Sequence, residues 1–385
     1  MSILNTDEIR LLFQQKMNDP LELGASLSIW QGKSEVCTLW GGYADYDRTI
    51  PWNSDTLVLV WSVTKGISAT CVLHVLDQVD LDLDTRVAHF WPEFAGGGKG
   101  EITIGELLSH RSGLVAPADA FLSLLDYDAV KQCLEKQTPF WQPDGTHGYG
   151  ARTFGVLVDE VVRRLTGGIP LGKYWRQALA DPLGIEFWIG LPQELHSRVA
   201  TMVAPRPGMG EMNEDFAEAM SNPKSLTRRV FPDGFPSPSS MNLPAVRSAS
   251  LPSLGGIGSA KALAKYYGIL ANGGNWADKT WFSRRALRWM ETLLTTGVDR
   301  IFRIQTAFSA GLMKDPIDAK GHKLRQTFGP SLRAFGHPGA GGCLAFADPE
   351  NQIGFAYVLN QMHLGVFPGS RVRPFVDGIY RALGV

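Results

Sequence analysis

A serine and a lysine three residues apart, in Ser62-Val63-Thr64-Lys65, open one of the most apolar stretches of the chain. On a helix, positions i and i+3 share a face, so the lysine amine can reach the serine hydroxyl at the helix start. A serine hydroxyl is a poor nucleophile at neutral pH and needs a base beside it. A desolvated lysine, its pKa lowered by burial and by the positive end of a helix, can be that base. The chemistry on offer is acyl transfer through an ester on the serine. The pattern has only two fixed letters, however, and a second copy, Ser221-Asn222-Pro223-Lys224, stands in a Pro- and Ser-rich stretch with no buried helix behind it. An N-cap serine followed by a surface lysine would read the same way, so the surroundings of each copy decide.

Other chemistries lack their signatures. There is no G-x-S-x-G elbow and no H-E-x-x-H pair, and the glycines at Gly255-Gly256 and Gly339 to Gly342 fit neither a dinucleotide nor a P-loop pattern. Cys37, Cys71, Cys133 and Cys343 lie too far apart for a disulfide framework or a zinc site. Over 385 residues, 37 basic side chains meet 38 acidic ones, for a formal net charge of −1. That balance argues against nucleic acid and anionic membranes as partners and for a small molecule of low charge, and it leaves the oligomeric state open. With 44% hydrophobic and 19% charged residues the chain can bury a full core. Asn5, Asp7 and Glu8 interrupt what a secretory leader would keep apolar, and no apolar run reaches membrane-spanning length, so a soluble cytoplasmic protein is expected.

The elements that must hold Ser62 follow from periodicity. Leu4 to Met17 reads as an amphipathic helix; Ala25 to Trp30 and Val36 to Trp40 read as strands joined at Gln31-Gly32-Lys33. From Val63 to Val79 apolar residues go almost all round the helix, which predicts burial and a rigidly held start. Between 101 and 180 the pattern is helical, at Ile104 to Ser109, Phe121 to Leu125, Tyr127 to Gln137, Phe154 to Leu165 and Leu171 to Leu179. Residues 205 to 252 hold eight of the 23 prolines and many serines, too irregular for packed elements; they read as a covering lid or a plain linker. A helix at Ala260 to Ala271, strands at Ala307 to Met313, Cys343 to Asp348 and Gln352 to Leu359, and a closing helix at Arg371 to Leu383 complete the chain. The expected architecture is an α/β sheet domain from residues 1–75 and 250–385, with a mainly helical region, 76–249, inserted and the site in the cleft between them.

The segment Trp61 to Ala69 resembles the nucleophile segment of the serine β-lactamase and penicillin-binding-protein superfamily, and most of all its esterase branch, the family VIII carboxylesterases. Further matches come in that family's order: Gly42-Tyr43-Ala44-Asp45, Leu107 to Leu114, Pro143-Asp144-Gly145 ahead of Tyr149, Phe154 to Gly167, and His337 to Gly342. The resemblance spans roughly residues 20 to 380. It implies an α/β (α+β) fold with a mainly antiparallel sheet flanked by helices, and an acyl-enzyme on Ser62 with Lys65 and Tyr149 as acid and base. It also implies an oxyanion hole from the N–H groups of Ser62 and Ala340, and no metal or organic cofactor. Ala151 stands where the lactamase branch has an asparagine, and His337-Pro338-Gly339 resembles the K-T-G strand motif with histidine for lysine. A largely neutral imidazole suits a substrate without a carboxylate, and Gly339 lets the backbone approach a ligand closely. Carboxylic esters are therefore expected ahead of β-lactams, with D-aminoacyl amides, transfer to a second alcohol and a non-catalytic sensor as alternatives. Trp61 and Trp141, close in sequence to Ser62 and Tyr149, would suit an apolar acyl or alcohol group as pocket walls. His110, His147 and His363 read as turn or surface residues without chemistry.

Overall fold

The computed structural model describes residues 4–234, 236–365, 367 and 369–385. Its frame is an eight-stranded antiparallel sheet whose strands are β1 (Gly24–Gln31), β2 (Ser34–Gly42), β3 (Thr295–Val298), β4 (Gln305–Phe308), β5 (Met313–Lys314), β6 (Phe335–Pro338), β7 (Leu344–Asp348) and β8 (Ile353–Leu359). They lie in the order β2-β1-β8-β7-β6-β5-β4-β3. The first hairpin thus pairs with the last strand, Ala25 opposite Leu359 and Gln31 opposite Ile353. Alternation along β8 sends its residues to two covered faces. Gly354 meets the helix Ala260–Ala271, where a side chain would lie 2.2 Å from the Gly268 nitrogen. On the other face Tyr357 stacks on Phe375 of the helix Arg373–Leu383, which packs against α1 (Asp7–Met17). A strand covered on both faces is apolar throughout, and all seven residues of β8 are buried.

The second layer holds the motif. Helix α2 (Val63–Gln78) has 13 of its 16 residues buried, as its all-round apolar pattern predicts, and lies between β6 and α3 (Thr153–Leu165). Beyond it a small sheet of Val58–Leu59, Gly256–Gly258 and Phe187–Ile189 ties the chain ahead of Ser62 to the segment ahead of the Ala260–Ala271 helix. Among the described residues no helix is long and apolar enough to cross a membrane.

Three readings of local structure are corrected. Phe121 to Leu125 is not helical: the Asp119 carboxylate accepts the Phe121 N–H and the Ser123 hydroxyl accepts the Leu125 N–H, two local turns that compete with a helix. Residues 205–252 are not structureless. They carry short helices at Glu214–Ser221, Leu226–Val230, Pro238–Met241 and Pro244–Ser248. The prolines and serines that made the stretch look irregular help to start them: Ser225 and Ser237 cap with their side chains, as Asn213 does, and Pro238 and Pro244 occupy first turns. Ala307 to Met313 is two strands, because the chain reverses at Gly311, with φ of +82° and a side chain excluded by the Ala69 Cβ 2.5 Å away.

Candidate active site

Ser62 precedes α2 in helical conformation (φ −68°, ψ −9°), and its hydroxyl caps no backbone N–H, so the N-cap alternative does not describe it. Ahead of it Trp61 is forced to φ +50°, a left-handed conformation rare outside glycine, held by pairing with Gly255 and by the Thr64 hydroxyl on the Trp61 carbonyl. One turn into the helix Lys65 is fully buried. Its Nζ donates to the carbonyls of Ala151 and Ser253, each at 2.8 Å, and lies 4.8 Å from the centre of the Tyr149 ring. Burial drives the pKa of Lys65 well below 10.5. A neutral amine has two N–H bonds and one lone pair; with both hydrogens on carbonyls, the lone pair is left to accept a proton.

Tyr149 is braced on three sides. Its ring stacks on Phe302 at 4.6 Å and packs against His110 at 5.1 Å, and its N–H donates to Asp299 Oδ1 at 3.2 Å. The buried phenol makes no hydrogen bond of good geometry, although Ser62 is near enough to favour its ionised form. Burial outweighs that and raises the pKa, so the phenol keeps its proton. Asp299, buried with its carboxylate on the N–H groups of Tyr149, Ile301 and Phe302, is pushed up to about 6.

His337 is buried on β6, its ring centre 5.9 Å from that of Tyr149. Its Nδ1 must donate, because the partner at 2.7 Å is the Pro338 carbonyl; Nε2 then carries the lone pair and has no partner. Burial holds the pKa down to about 3, so the imidazole is neutral. Gly339 gives its N–H to Cys343 and closes on the strand ahead of Ser62, where any Cβ would sit 2.3 Å from the Val60 carbonyl. That approach brings Ala340, which is exposed, towards the start of α2. Among the described residues neither the Ser62 nor the Ala340 N–H has a protein acceptor.

The structure does not bring every expected residue to this mouth. Trp141 is buried against Gly148 and under the Arg300 guanidinium, 4.9 Å from its ring, beside the loop that carries Tyr149. Ser221 ends its helix exposed, its hydroxyl on the Ala217 carbonyl, and Lys224 is exposed. His110 lies in a turn, as expected, and is buried there; His147 is a correction, since it is buried and lies neither in a turn nor on the surface. His110, at φ +61°, fills the space between Tyr149, Phe154 and Phe308 and accepts the Gly150 N–H; His147 bonds the hydroxyls of Thr295 and Thr306. His363 is half-buried. The carbonyls of Ala151 and Ser253 were missed, and no residue type could have signalled them, because every residue has a carbonyl. Asp299 and Phe302 were missed too, lying far from Tyr149 in sequence.

Tyr149 thus stands near both Ser62 and the buried Lys65, at the seam of an antiparallel sheet and a helical layer, an arrangement that suits acyl transfer through a serine. Residues 9–372 match the Beta-lactamase family model, and the chain belongs to that family. It is 29% identical over 361 residues to the Esterase/beta-lactamase LipL of Mycobacterium tuberculosis, covering 88% of this chain and 77% of that one. Among solved structures it superposes on a family VIII carboxylesterase with a TM-score of 0.86 and 33% identity, over 99% of both chains. A penicillin-binding protein homologue from Caulobacter crescentus superposes with a TM-score of 0.84 and 30% identity, again over 99% of both.

Proposed function

We propose that this protein is a serine hydrolase that cleaves neutral carboxylic esters through an acyl-enzyme on Ser62. The observation that carries the reading is the setting of Lys65, fully buried with its Nζ on the carbonyls of Ala151 and Ser253 and with no carboxylate beside it, so that burial drives its pKa well below the ordinary value. Ser62 gives its proton to Lys65 as its oxygen adds to the ester carbonyl, and the N–H groups of Ser62 and Ala340 hold the oxyanion. Tyr149 protonates the departing alkoxide and recovers a proton from the Lys65 ammonium. Water then adds to the acyl-enzyme by the same proton path and releases the acid. The esterases among its relatives support the reaction class. The four separate thiols of Cys37, Cys71, Cys133 and Cys343 suit a reducing compartment, and we place the protein in the cytoplasm on that ground.

The substrate class rests on what faces the reacting carbonyl. A β-lactam brings a carboxylate and a side-chain amide. Here a neutral His337 replaces a permanent cation, and Ala151 offers only a carbonyl, already used by Lys65. The missing charge-assisted contact is worth roughly 1.5 to 3 kcal/mol and the missing neutral amide contact roughly 0.5 to 1.5 kcal/mol, so together they shift the ratio of kcat/KM by on the order of 30-fold to 10³. Short-chain p-nitrophenyl esters should outrun a chromogenic cephalosporin by at least the lower figure, and His337→Lys should narrow the gap. Equal efficiency on both substrates would overturn the ester reading. Failure of a fluorophosphonate probe to label Ser62 would remove the nucleophile itself.

A further inference from the structure

Beside the Lys65 anchor lies a cavity of about 260 Å³ that none of Ser62, Lys65, Tyr149 and His337 lines. Leu124, Val156, Leu251 and Leu254 make its walls apolar, and Arg152, Asp159 and Arg163 supply its charge. Asp159 is occupied: its oxygens accept from Arg163 Nε at 2.8 Å and from the Leu171 N–H at 2.5 Å. One positive charge remains. Arg152 is 6% exposed, and its side chain makes no hydrogen bond or ion pair with any described residue; its Nε is buried without a partner. No carboxylate is near enough to raise its pKa, which burial alone lowers. A guanidinium does not surrender its proton, and a buried charge left unpaired is expensive. Nothing in the folding of α3 requires an arginine here, since the Arg152 carbonyl, not its side chain, makes the local contact by accepting from the Ser253 hydroxyl.

We propose that this cavity is a second ligand site that holds a small organic carboxylate, its charge on Arg152 and its apolar body against Leu124, Val156, Leu251 and Leu254. A carboxylate matches the guanidinium fork with two parallel hydrogen bonds, and a monoanion cancels the one uncompensated charge. A volume near the lower end of ligand pockets suits an acid of benzoate or hexanoate size. The site adjoins the ester chemistry, because Arg152 follows Ala151 and Ser253 borders the cavity, and these two residues carry the carbonyls that hold Lys65.

Calorimetry on the Ser62→Ala protein with benzoate and hexanoate, against benzamide and hexanamide, tests the site. The acids should bind at least tenfold tighter than the amides, and Arg152→Met should bring the acids down to the level of the amides. Ser250→Trp, at an exposed lining position, should block the cavity without touching the arginine and covers the case in which Arg152→Met does not fold. Wild-type protein capped at Ser62 by a fluorophosphonate should bind the acids as the Ser62→Ala protein does. Equal affinity for acids and amides, binding that survives both substitutions, or binding lost on capping would overturn the proposal, the last by placing the acid in the ester cleft. Hydrolysis curves separate two sources of the same chemistry. Slowing by the released acid in wild type but not in Arg152→Met identifies a product, and binding without slowing identifies an acid from elsewhere.

Discussion

Ser62 to Lys65 and Ser221 to Lys224 are the same four-residue pattern in two settings. In the first the lysine is fully buried, donates to two carbonyls and has a depressed pKa. In the second both residues are exposed, and the serine hydroxyl turns back on its own helix at Ala217. An ammonium in water keeps its proton at neutral pH and cannot act as a base; an amine in a desolvated cage can. The contrast teaches that the reactivity of the motif belongs to its surroundings, and that a helix buried on all sides is what turns two common residues into a candidate catalytic pair.

The largest expected effect is on the proposed nucleophile. Ser62→Ala should lower ester hydrolysis by at least about 10³-fold with the fold intact, because no core cavity opens at a helix start, while Ser221→Ala leaves kcat/KM unchanged. Equal losses in the two variants, with circular dichroism showing both folded, would erase the distinction. Next comes the proposed base. Lys65→Arg puts in place a guanidinium that cannot accept a proton, so it should cost nearly as much as Lys65→Ala, and Lys224→Arg should cost nothing. If Lys65→Arg retained most of the rate, the buried lysine would be only an electrostatic partner.

A smaller effect should appear in acid. The folded-state pKa of His337, about 3, lies below the ordinary 6.5, so its neutral form is stabilised by folding. That contribution is complete above pH 6.5 and is lost as pH falls towards 3; at pH 4.5, two units into the window, it amounts to about 2 to 3 kcal/mol. His147, held down to about 4, and Asp299, pushed up to about 6, act with opposite signs and largely offset each other. Denaturant titrations at pH 7 and pH 4.5 should therefore show wild type losing more stability than His337→Asn. A parallel loss in both would mean that His337 is not the group that titrates. The smallest effect belongs to the exposed copy, where Lys224→Ala should change stability by no more than about 0.5 kcal/mol.

Most of the frame was legible because period and burial agree. Helix α2 announced itself by apolar residues on every side, and β1, β7 and β8 by runs that the fold then covered. Of the site, the side chains with chemistry were legible and their supports were not. Ser62 and Lys65 share a helix turn, so local geometry predicts their meeting, whereas Asp299 reaches Tyr149 from 150 positions away. The prolines and serines of 205–252 were misread because composition alone does not separate a residue that breaks a helix from one that starts it. His147 was misread because burial of a histidine depends on neighbours such as Phe308, which packs against its ring.

The pairing of β1 with β8 also constrains how the molecule is made. All eight residues of β1 end up buried, yet until the last strand leaves the ribosome only its β2 edge can be satisfied. At ordinary synthesis rates that leaves an apolar strand edge open for on the order of tens of seconds, long enough to need shelter from other nascent chains. It also sets a clock on the chemistry. Ser62 and Lys65 are translated early, but His337 and Ala340 arrive only with the final strands, so an unfinished chain carries the proposed nucleophile without the backbone proposed to hold the oxyanion.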